Sequence, residues 1–254
     1  MHPELVDFGP FHVSSYGFTI SLAFIAGGLF AYRRFRSKGL NPDHVLWMVI
    51  LAALGGILGA KLDYVIVNLG DYTGPESLFS GAGLIWYGGV AGAVLLTFPY
   101  MYFRKMPLGR VLDSAAPAIA LGYGIARIGC FLMGTCYGKP STLPWAVSFP
   151  NGMIPTPPGV TVQPTQLYEM LASFAIFGIL LYLTPRLTRD WSMIGAYLVF
   201  AGIERFAVEF LRFSRDGQLQ AQLTASGIAV AGAFILVQVL RRSAGSRQPA
   251  LQTE

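Results

Sequence analysis

Apolar residues recur along the chain in stretches of about 18 or more, separated by short segments that carry most of the charges. As a helix, each stretch is long enough to cross the roughly 30 Å hydrocarbon core of a bilayer. Backbone N–H and C=O groups in lipid must form hydrogen bonds within the protein, so only helices or closed β-barrels can span a membrane. The sequence lacks the segments of about ten alternating residues that are typical of a barrel. The pattern therefore predicts an all-α integral membrane protein with about seven transmembrane helices. The predicted spans are Tyr16–Tyr32, Val45–Val67, Leu84–Phe103, Val111–Met133, Leu167–Thr184, Met193–Leu211 and Leu223–Leu240.

The composition supports this prediction. Hydrophobic residues make up 54% of the chain and charged residues 12%, and the mean hydropathy is +0.53. A soluble domain usually carries about 25% charged residues, because its surface must face water. The composition is therefore that of a protein whose solvent is lipid.

The loop cations predict the orientation of the spans. Twelve of them fall on one side of the predicted membrane, and only Lys139 and Arg215 fall on the other. Because cytoplasmic loops carry the excess of Lys and Arg, we expect the N-terminus outside and the C-terminus in the cytoplasm. The net charge of +5 follows from this topology, so it indicates no nucleic-acid partner. The twelve cations are Arg33, Arg34, Arg36, Lys38, Arg104, Lys105, Arg110, Arg186, Arg189, Arg241, Arg242 and Arg247.

The domain organisation expected from this pattern is simple. Residues 1–242 form one polytopic membrane domain, and a polar tail, 243–254, is expected to be disordered. The first dozen residues lack a basic start followed by a short apolar core, so the first span is expected to direct insertion. The proline-rich segment 138–165 is longer than ordinary connections, which predicts a functional periplasmic loop that covers the site.

A concentrated set of ionisable residues falls inside the predicted spans or, for Arg212, one position beyond the sixth. Each costs at least about 2.5–3.5 kcal/mol to insert into a bilayer, so such residues are functional candidates by default. They are Lys61, Asp63, Arg127, Glu169, Glu204, Arg205, Glu209 and Arg212.

The sixth span carries the most informative group. Arg205, Glu209 and Arg212 are spaced four and three residues apart, which predicts one shared helical face. Glu209 can bridge the two arginines and leave guanidinium donors free for a phosphate, whose oxygens match the guanidinium fork. Arg127, from another helix, completes the predicted phosphate cradle. The alternative is that these charges only join helices, although such pairing rarely needs more arginines than its partners neutralise.

Two cysteines, Cys130 and Cys136, lie near the outer end of the fourth predicted span. A disulfide is possible on that side of the membrane, and two packed or loosely paired thiols are the alternative. Two thiols without a nearby histidine are a poor metal site, so we expect no metal and no cofactor.

Five motifs, in order and with matching spacing over nearly the whole chain, resemble those of the bacterial prolipoprotein diacylglyceryl transferases. The motifs are Tyr16-Gly17, Gly59-Ala-Lys-Leu-Asp-Tyr64, Arg127-Ile-Gly-Cys-Phe-Leu-Met-Gly134 with Gly138, Gln163-Pro-Thr-Gln-Leu-Tyr-Glu169, and Arg205-Phe-Ala-Val-Glu-Phe-Leu-Arg212. The resemblance implies an inner-membrane enzyme that takes the diacylglyceryl group of phosphatidylglycerol. The group passes to the lipobox cysteine thiol of a prolipoprotein signal peptide on the periplasmic side, and glycerol phosphate leaves.

The resemblance also implies roles for individual residues in a monomer surrounded by membrane lipids. Arg127 and Arg205 bind the donor phosphate, Glu209 orients them, and Tyr87 lies at the reacting centre. The expected substrate-binding residues are Arg212, Tyr16, Lys61, Gly88, Gly89, Gly129, Gly138, Gln166 and Glu169. We expect Gln166, Tyr168 and Glu169 to shape the outer rim of the site.

The chain departs from the family pattern where the acceptor thiol would be activated. The family's His-Gly-Gly is Tyr87-Gly88-Gly89 here, and two signature asparagines are replaced by Cys130 and Met133. Three explanations stay open. Tyr87 or Glu209 takes the thiol proton in an ordinary lipoprotein transferase, although tyrosine, with an ordinary pKa of about 10, is a poor base. Alternatively, a divergent paralogue uses another acceptor, or the protein binds or transports lipid without catalysis, although internal repeats typical of transporters are absent.

Overall fold

The computed structural model of the chain describes residues 4–8, 11–67, 86–212 and 218–245. These residues form one short β-hairpin and seven α-helices, and each helix overlaps one predicted span. The prediction of a helical membrane architecture is therefore confirmed. The elements are β1 (Glu4–Phe8), β2 (Phe11–Ser14), α1 (Ser15–Ser37), α2 (Asp43–Val67), α3 (Trp86–Phe103), α4 (Leu108–Met133), α5 (Thr165–Leu183), α6 (Ser192–Glu209) and α7 (Gln218–Gly245).

Five of the described helices, α1, α2, α4, α5 and α7, are long and apolar enough to cross a membrane. Large apolar side chains on them are exposed, for example Leu29 at 61%, Leu58 at 64% and Leu240 at 62%. Apolar surface of this extent is unfavourable in water and is expected where the surrounding medium is hydrocarbon. The chain is thus a multi-pass membrane protein.

The hairpin at the N-terminus was not predicted from the sequence. Its strands are antiparallel, with Val6 opposite Val13 and Phe8 opposite Phe11. The signal was present, because the sequence has the turn dipeptide Gly9-Pro10 followed by Phe11-His-Val-Ser14, which alternates apolar and polar residues. The second strand leads directly into α1, where Ser14 Oγ accepts a hydrogen bond from the Gly17 amide at 3.0 Å and caps the helix.

The chain divides into two compact units, residues 32–111 and residues 1–31 with 112–254. In the first, α2 and α3 approach through glycines spaced four apart on each helix, Gly55 and Gly59 against Gly88 and Gly92. A Cβ atom on Gly92 would overlap the Gly55 carbonyl oxygen. Small residues at this spacing let two membrane helices pack backbone to backbone.

In the second unit, α4, α5 and α6 share a buried apolar core. Asp113 of α4 accepts a hydrogen bond from the Ile194 amide at 2.8 Å, which ties the start of α6 to α4. Ser173 of α5 donates to the Ala120 carbonyl at 2.8 Å and joins α5 to α4. The core residues are Ala116, Ala120, Ile176, Leu180, Met193, Ile194 and Ala196. These contacts set the relative positions of the helices whose ends carry the charged residues.

The segment between α4 and α5 is folded around one buried aromatic ring. Phe149 is 0% exposed and stacks on Tyr137 with ring centroids 5.5 Å apart. Its amide donates to Thr156 Oγ1 at 2.9 Å. Trp145 is exposed and donates from Nε1 to the Tyr168 hydroxyl at 2.7 Å. Phe149 thus anchors the loop, and covering of the site by this segment stays a prediction.

The glycine contact between α2 and α3 generates a stability prediction. Replacing Gly92 with alanine should lower the free energy of unfolding by about 1–3 kcal/mol, because the added methyl group meets backbone that cannot move aside. The thermal unfolding midpoint of the purified protein in detergent measures this. Gly178→Ala is the matched control, since a Cβ atom at Gly178 meets no atom within 4 Å. Equal midpoints for the two variants would contradict the packing assignment.

Candidate functional site

The buried carboxylate of Glu169 is the centre of a group of charged residues in the unit formed by residues 1–31 and 112–254. Glu169 lies in the second turn of α5 and is 0% exposed. Its Oε2 atom is 3.1 Å from Arg127 Nε. Its Oε1 atom is 3.5 Å from Arg205 Nη1 and 3.9 Å from Arg212 Nη1. The structure thus brings together the three arginines that we expected to converge, and we call this group the arginine cluster.

Arg127 is the most deeply held of the three arginines. Its Nη2 atom donates to the hydroxyl of Tyr123, one turn earlier on α4, and its Cζ atom lies 4.6 Å from the centroid of the same ring. The Tyr123 hydroxyl donates in turn to Glu169 Oε1 at 3.4 Å. Sequence reasoning missed Tyr123, although its spacing of four residues from an intramembrane arginine was the available signal.

The three guanidinium groups differ in exposure. The Arg205 and Arg212 side chains keep 25% and 21% of their surface exposed, whereas Arg127 keeps 10%. Each guanidinium has five N–H donors, and the contacts with Glu169 use only part of them. Arg205 and Arg212 can therefore present donors to an anion outside the cluster, while Arg127 contributes its charge from behind them.

The end of α6 differs from the prediction. Glu209 pairs with Arg205, with Oε2 2.6 Å from Nη2, but Arg212 pairs with Glu169. The reason is that α6 ends at Glu209, so Arg212 lies beyond the helix and the expected helical face stops short of it. A third carboxylate, Glu204, faces the arginines at longer range, and its buried Oε1 has no hydrogen-bond partner in the described part of the chain.

Arg212 is held by the loop that follows α4. Gly138 and Arg212 form an antiparallel bridge, and the Lys139 amide donates to the Leu211 carbonyl at 2.8 Å. A Cβ atom on Gly138 would lie 2.5 Å from the Leu211 carbonyl oxygen and would also clash with Thr165. Gly138 therefore lets two backbone segments meet beside Arg212, and a direct contact of Gly138 with substrate stays a prediction.

The start of α5 is buried, so the expectation that Gln166 and Glu169 form the outer rim is wrong. Both are 0% exposed, because Gln166 Nε2 donates to the Thr135 carbonyl at 2.6 Å and Glu169 is surrounded by arginines. Gln166 Oε1 has no hydrogen-bond partner among the described residues. Tyr168 is partly buried and carries the contact with exposed Trp145.

Gly129 and Tyr16 mark the contact between α1 and α4. A Cβ atom on Gly129 would overlap Thr19 Oγ1 and would lie 3.4 Å from Tyr16 Cα. Tyr16 is partly buried and interacts electrostatically with Arg127. Gly129 therefore brings Tyr16 towards the arginine cluster through helix packing.

The two cysteines are free thiols, Cys130 buried and Cys136 partly exposed. Interaction with the Cys130 thiol, together with Arg212 and Arg127, lowers the pKa of the Cys136 thiol to about 5. Within the described ranges, no group of three or more His, Cys, Asp or Glu residues is placed to hold a metal ion.

The remaining predicted site residues belong to the unit 32–111. Lys61 is partly buried on α2. Gly88 and Gly89 contact α2, where the Gly88 amide donates to Asp63 Oδ2 at 3.0 Å. Both glycines thus have a packing role, and their contact with substrate stays a prediction. Tyr87 is the second residue of α3, and its side chain lies outside the described residues.

These features define a polytopic membrane protein with a buried cationic site at the ends of its helices. The sequence matches the prolipoprotein diacylglyceryl transferase family over residues 3–239. The chain belongs to this family. The five motifs that suggested the resemblance all lie within the matched residues.

Individual relatives cover nearly the whole chain. The phosphatidylglycerol–prolipoprotein diacylglyceryl transferase of Clostridium tetani is 33% identical over 232 residues, which are 91% of this chain and 93% of the relative. The protein of the same name from Dehalococcoides mccartyi (strain CBDB1) is 31% identical over 245 residues, 94% of each chain. That of Finegoldia magna is 33% identical over 230 residues, 88% of this chain and 90% of the relative.

The central position of Glu169 generates a second stability prediction. The variant Glu169→Gln should lose about 3–5 kcal/mol of unfolding free energy, because it leaves buried guanidinium charge without its carboxylate. Thermal or chemical unfolding in detergent measures the loss. Asp43→Asn is the control, since it removes an exposed carboxylate by the same isosteric change and should alter stability little. A Glu169→Gln protein as stable as the wild type would show that the cluster does not depend on this carboxylate.

Proposed function

We propose that this protein transfers the diacylglyceryl group of phosphatidylglycerol to the lipobox cysteine thiol of a prolipoprotein signal peptide. The observation that carries the proposal is the convergence of Arg127, Arg205 and Arg212 on one buried carboxylate, with two of them partly exposed. Exposed guanidinium donors inside a membrane protein suit an anionic lipid phosphate. Family membership supports the choice of substrates, because the relatives are named for phosphatidylglycerol and prolipoprotein.

In the proposed reaction, the acceptor sulfur attacks the glyceryl carbon that carries the phosphate ester. A carbon–sulfur bond forms, the carbon–oxygen bond breaks, and glycerol phosphate leaves with the bonding electron pair. Negative charge grows on the departing phosphate, so Arg205 and Arg212 stabilise the transition state more than the bound donor. Arg127, held by Glu169 and Tyr123, adds positive charge behind them.

The acceptor thiol must lose a proton, because thiolate is the effective nucleophile. Glu209 was one expected acceptor of this proton, but its carboxylate is 2.6 Å from Arg205 Nη2. This ion pair engages the Glu209 carboxylate with the Arg205 guanidinium and not with an acceptor thiol. We therefore assign Glu209 the task of orienting Arg205, and Tyr87, at the position of the family's histidine, stays the proposed proton acceptor.

We further propose seven spans in the bacterial inner membrane, with α3 and α6 as the two additional ones. At about 1.5 Å per residue, the 18 residues of α6 reach nearly across the hydrocarbon. Its Arg205 side chain is paired with both Glu209 and Glu169, which reduces the cost of charges at this depth. The loop cations support an external N-terminus, a cytoplasmic C-terminus and a periplasmic site. We propose in addition that the enzyme is a monomer.

Arg205→Lys tests the phosphate role. Lysine keeps the charge but loses the guanidinium fork, so kcat/KM for phosphatidylglycerol should fall about 10- to 100-fold, the range of one or more charge-assisted hydrogen bonds. The assay combines purified protein, vesicles with labelled phosphatidylglycerol and a lipobox peptide, and it follows thioether formation by mass spectrometry. Arg186→Lys is the control, because Arg186 is exposed and contacts Tyr182 away from the cluster.

The same assay separates the alternatives. Peptide modification with release of glycerol phosphate supports the proposal, and phospholipid consumption without peptide modification indicates another acceptor. Binding of phosphatidylglycerol without turnover would assign the protein to the non-enzymatic lipid binders. Unchanged kinetics of Arg205→Lys would remove Arg205 from phosphate recognition.

The proposed orientation predicts a difference between two engineered cysteines. In a variant with Cys130 and Cys136 replaced by alanine, a cysteine at exposed Thr142 should react with a membrane-impermeant thiol reagent added to spheroplasts. A cysteine at exposed Ser37 should react only after the cells are lysed. The reversed labelling pattern would show that the orientation is opposite to the one proposed. Labelling of both positions in intact spheroplasts would also contradict the proposed orientation.

A further inference from the structure

The two thiols beside the arginine cluster are brought together by the way α4 ends. After Met133 the chain reverses at Gly134, whose φ is +66°. The Thr135 amide donates to the Cys130 carbonyl and the Gly134 amide to the Phe131 carbonyl, both at 3.1 Å. This is the hydrogen-bond pattern of a Schellman motif. Because it folds the chain back along its own last turn, it brings Cys136 next to Cys130.

Cys136 is held in an unfavourable backbone conformation. Its φ is +59°, a left-handed value that is uncommon for residues other than glycine. Two hydrogen bonds from the start of α5 hold this segment, since Thr165 Oγ1 donates to the Cys136 carbonyl at 2.8 Å and Gln166 Nε2 to the Thr135 carbonyl at 2.6 Å. Such strain persists only where the surroundings impose it, and it is common at functional positions. Here it keeps Cys136 beside the last turn of α4, which carries Cys130.

The charges around the two sulfurs favour a thiolate at Cys136. The Cys130 thiol, Arg212 and Arg127 lower the pKa of Cys136. Tyr16 of α1 and Glu169 of α5 face the pair from the other elements packed around it. The proposed transfer reaction uses neither cysteine. A partly exposed, acidic thiol next to a second thiol is the usual arrangement of a redox-active pair.

We propose that Cys136 and Cys130 form a reversible thiol–disulfide pair whose oxidation strengthens the binding of the donor phosphate by the arginine cluster. The oxidant is a disulfide, either small or carried by a thiol–disulfide oxidoreductase. The Cys136 thiolate attacks one oxidant sulfur and releases the other as a thiolate. Cys130 then loses its proton and attacks Cys136 Sγ, which releases the second oxidant sulfur. Two electrons pass to the oxidant, and the released oxidant thiolates take up the protons. Cys136 is the attacking sulfur because it is the more exposed of the two cysteines.

The effect of oxidation on phosphatidylglycerol binding follows from the loss of a negative charge at Cys136, and it rests on the proposed function. In the reduced protein the lowered pKa of Cys136 favours an anionic thiolate near Arg127 and Arg212, and this anion competes with a lipid phosphate for the same cations. In the disulfide this charge is gone. Removal of one negative charge at close range in a partly screened site should tighten phosphatidylglycerol binding about tenfold.

The test compares full-length wild-type protein, reduced and oxidised by a glutathione redox series, in vesicles that contain phosphatidylglycerol. Mass spectrometry of intact protein and of its peptides should show the loss of two hydrogens and a Cys130–Cys136 link. The equilibrium dissociation constant for phosphatidylglycerol, measured without an acceptor peptide, should be about tenfold lower in the oxidised form. Because neither readout requires turnover, a failure of the pair is distinguishable from a failure of the proposed transferase activity.

Two variants separate charge from structure. Cys136→Ser and Cys136→Ala lack the thiolate, so both should bind phosphatidylglycerol like the oxidised wild type, whatever the redox potential. Cys130→Ser cannot complete the reaction, so it should accumulate a glutathione adduct at Cys136. Failure of the folded wild type to form the disulfide at any glutathione ratio would overturn the proposal. Cys136→Ser and Cys136→Ala proteins that bind like the reduced wild type would also overturn it.

Discussion

The pairing of the buried Glu169 carboxylate with Arg127, Arg205 and Arg212 is the interaction on which the site depends. An isolated guanidinium or carboxylate at this depth would be strongly destabilising, because each would lose its hydration without compensation. The four charges are tolerated because they neutralise one another in part. Since they come from α4, α5, α6 and the segment after α6, the same ion pairs hold the ends of these helices in register. Binding chemistry and helix position thus rest on one set of contacts.

Close backbone approach supports the cluster from both sides. Gly129 lets α1 approach α4 near Tyr16, and Gly138 lets the loop after α4 meet the segment that carries Arg212. A side chain at either position would push apart the segments that carry the polar groups. Backbone hydrogen bonds therefore fix the position of the Arg212 main chain. This restricts the movement of the Arg212 side chain more than its own contacts would. Preorganised donors of this kind are effective towards charge that develops during a reaction.

The arginine cluster also acts on the thiols beside it. The guanidinium groups that suit a lipid phosphate favour the thiolate form of Cys136 for the same electrostatic reason. A family member that carries two cysteines at the end of α4 therefore has a second anion within the field of its phosphate-binding residues. The oxidation state of this pair and the affinity for the donor are linked through shared cations.

The sequence by itself determined the helical membrane class, the approximate ends of seven helices and the residues that must be polar inside the membrane. These follow from the lengths of apolar segments and from the cost of burying charge, which are properties of each segment alone. It missed Tyr123, and it placed Gln166 and Glu169 at the rim, although both are fully buried. Helical spacing also predicted that Glu209 bridges Arg205 and Arg212, but α6 ends at Glu209 and Arg212 pairs with Glu169 instead. Only the tertiary structure decided which carboxylate is central, because that choice depends on distances between segments far apart in the chain.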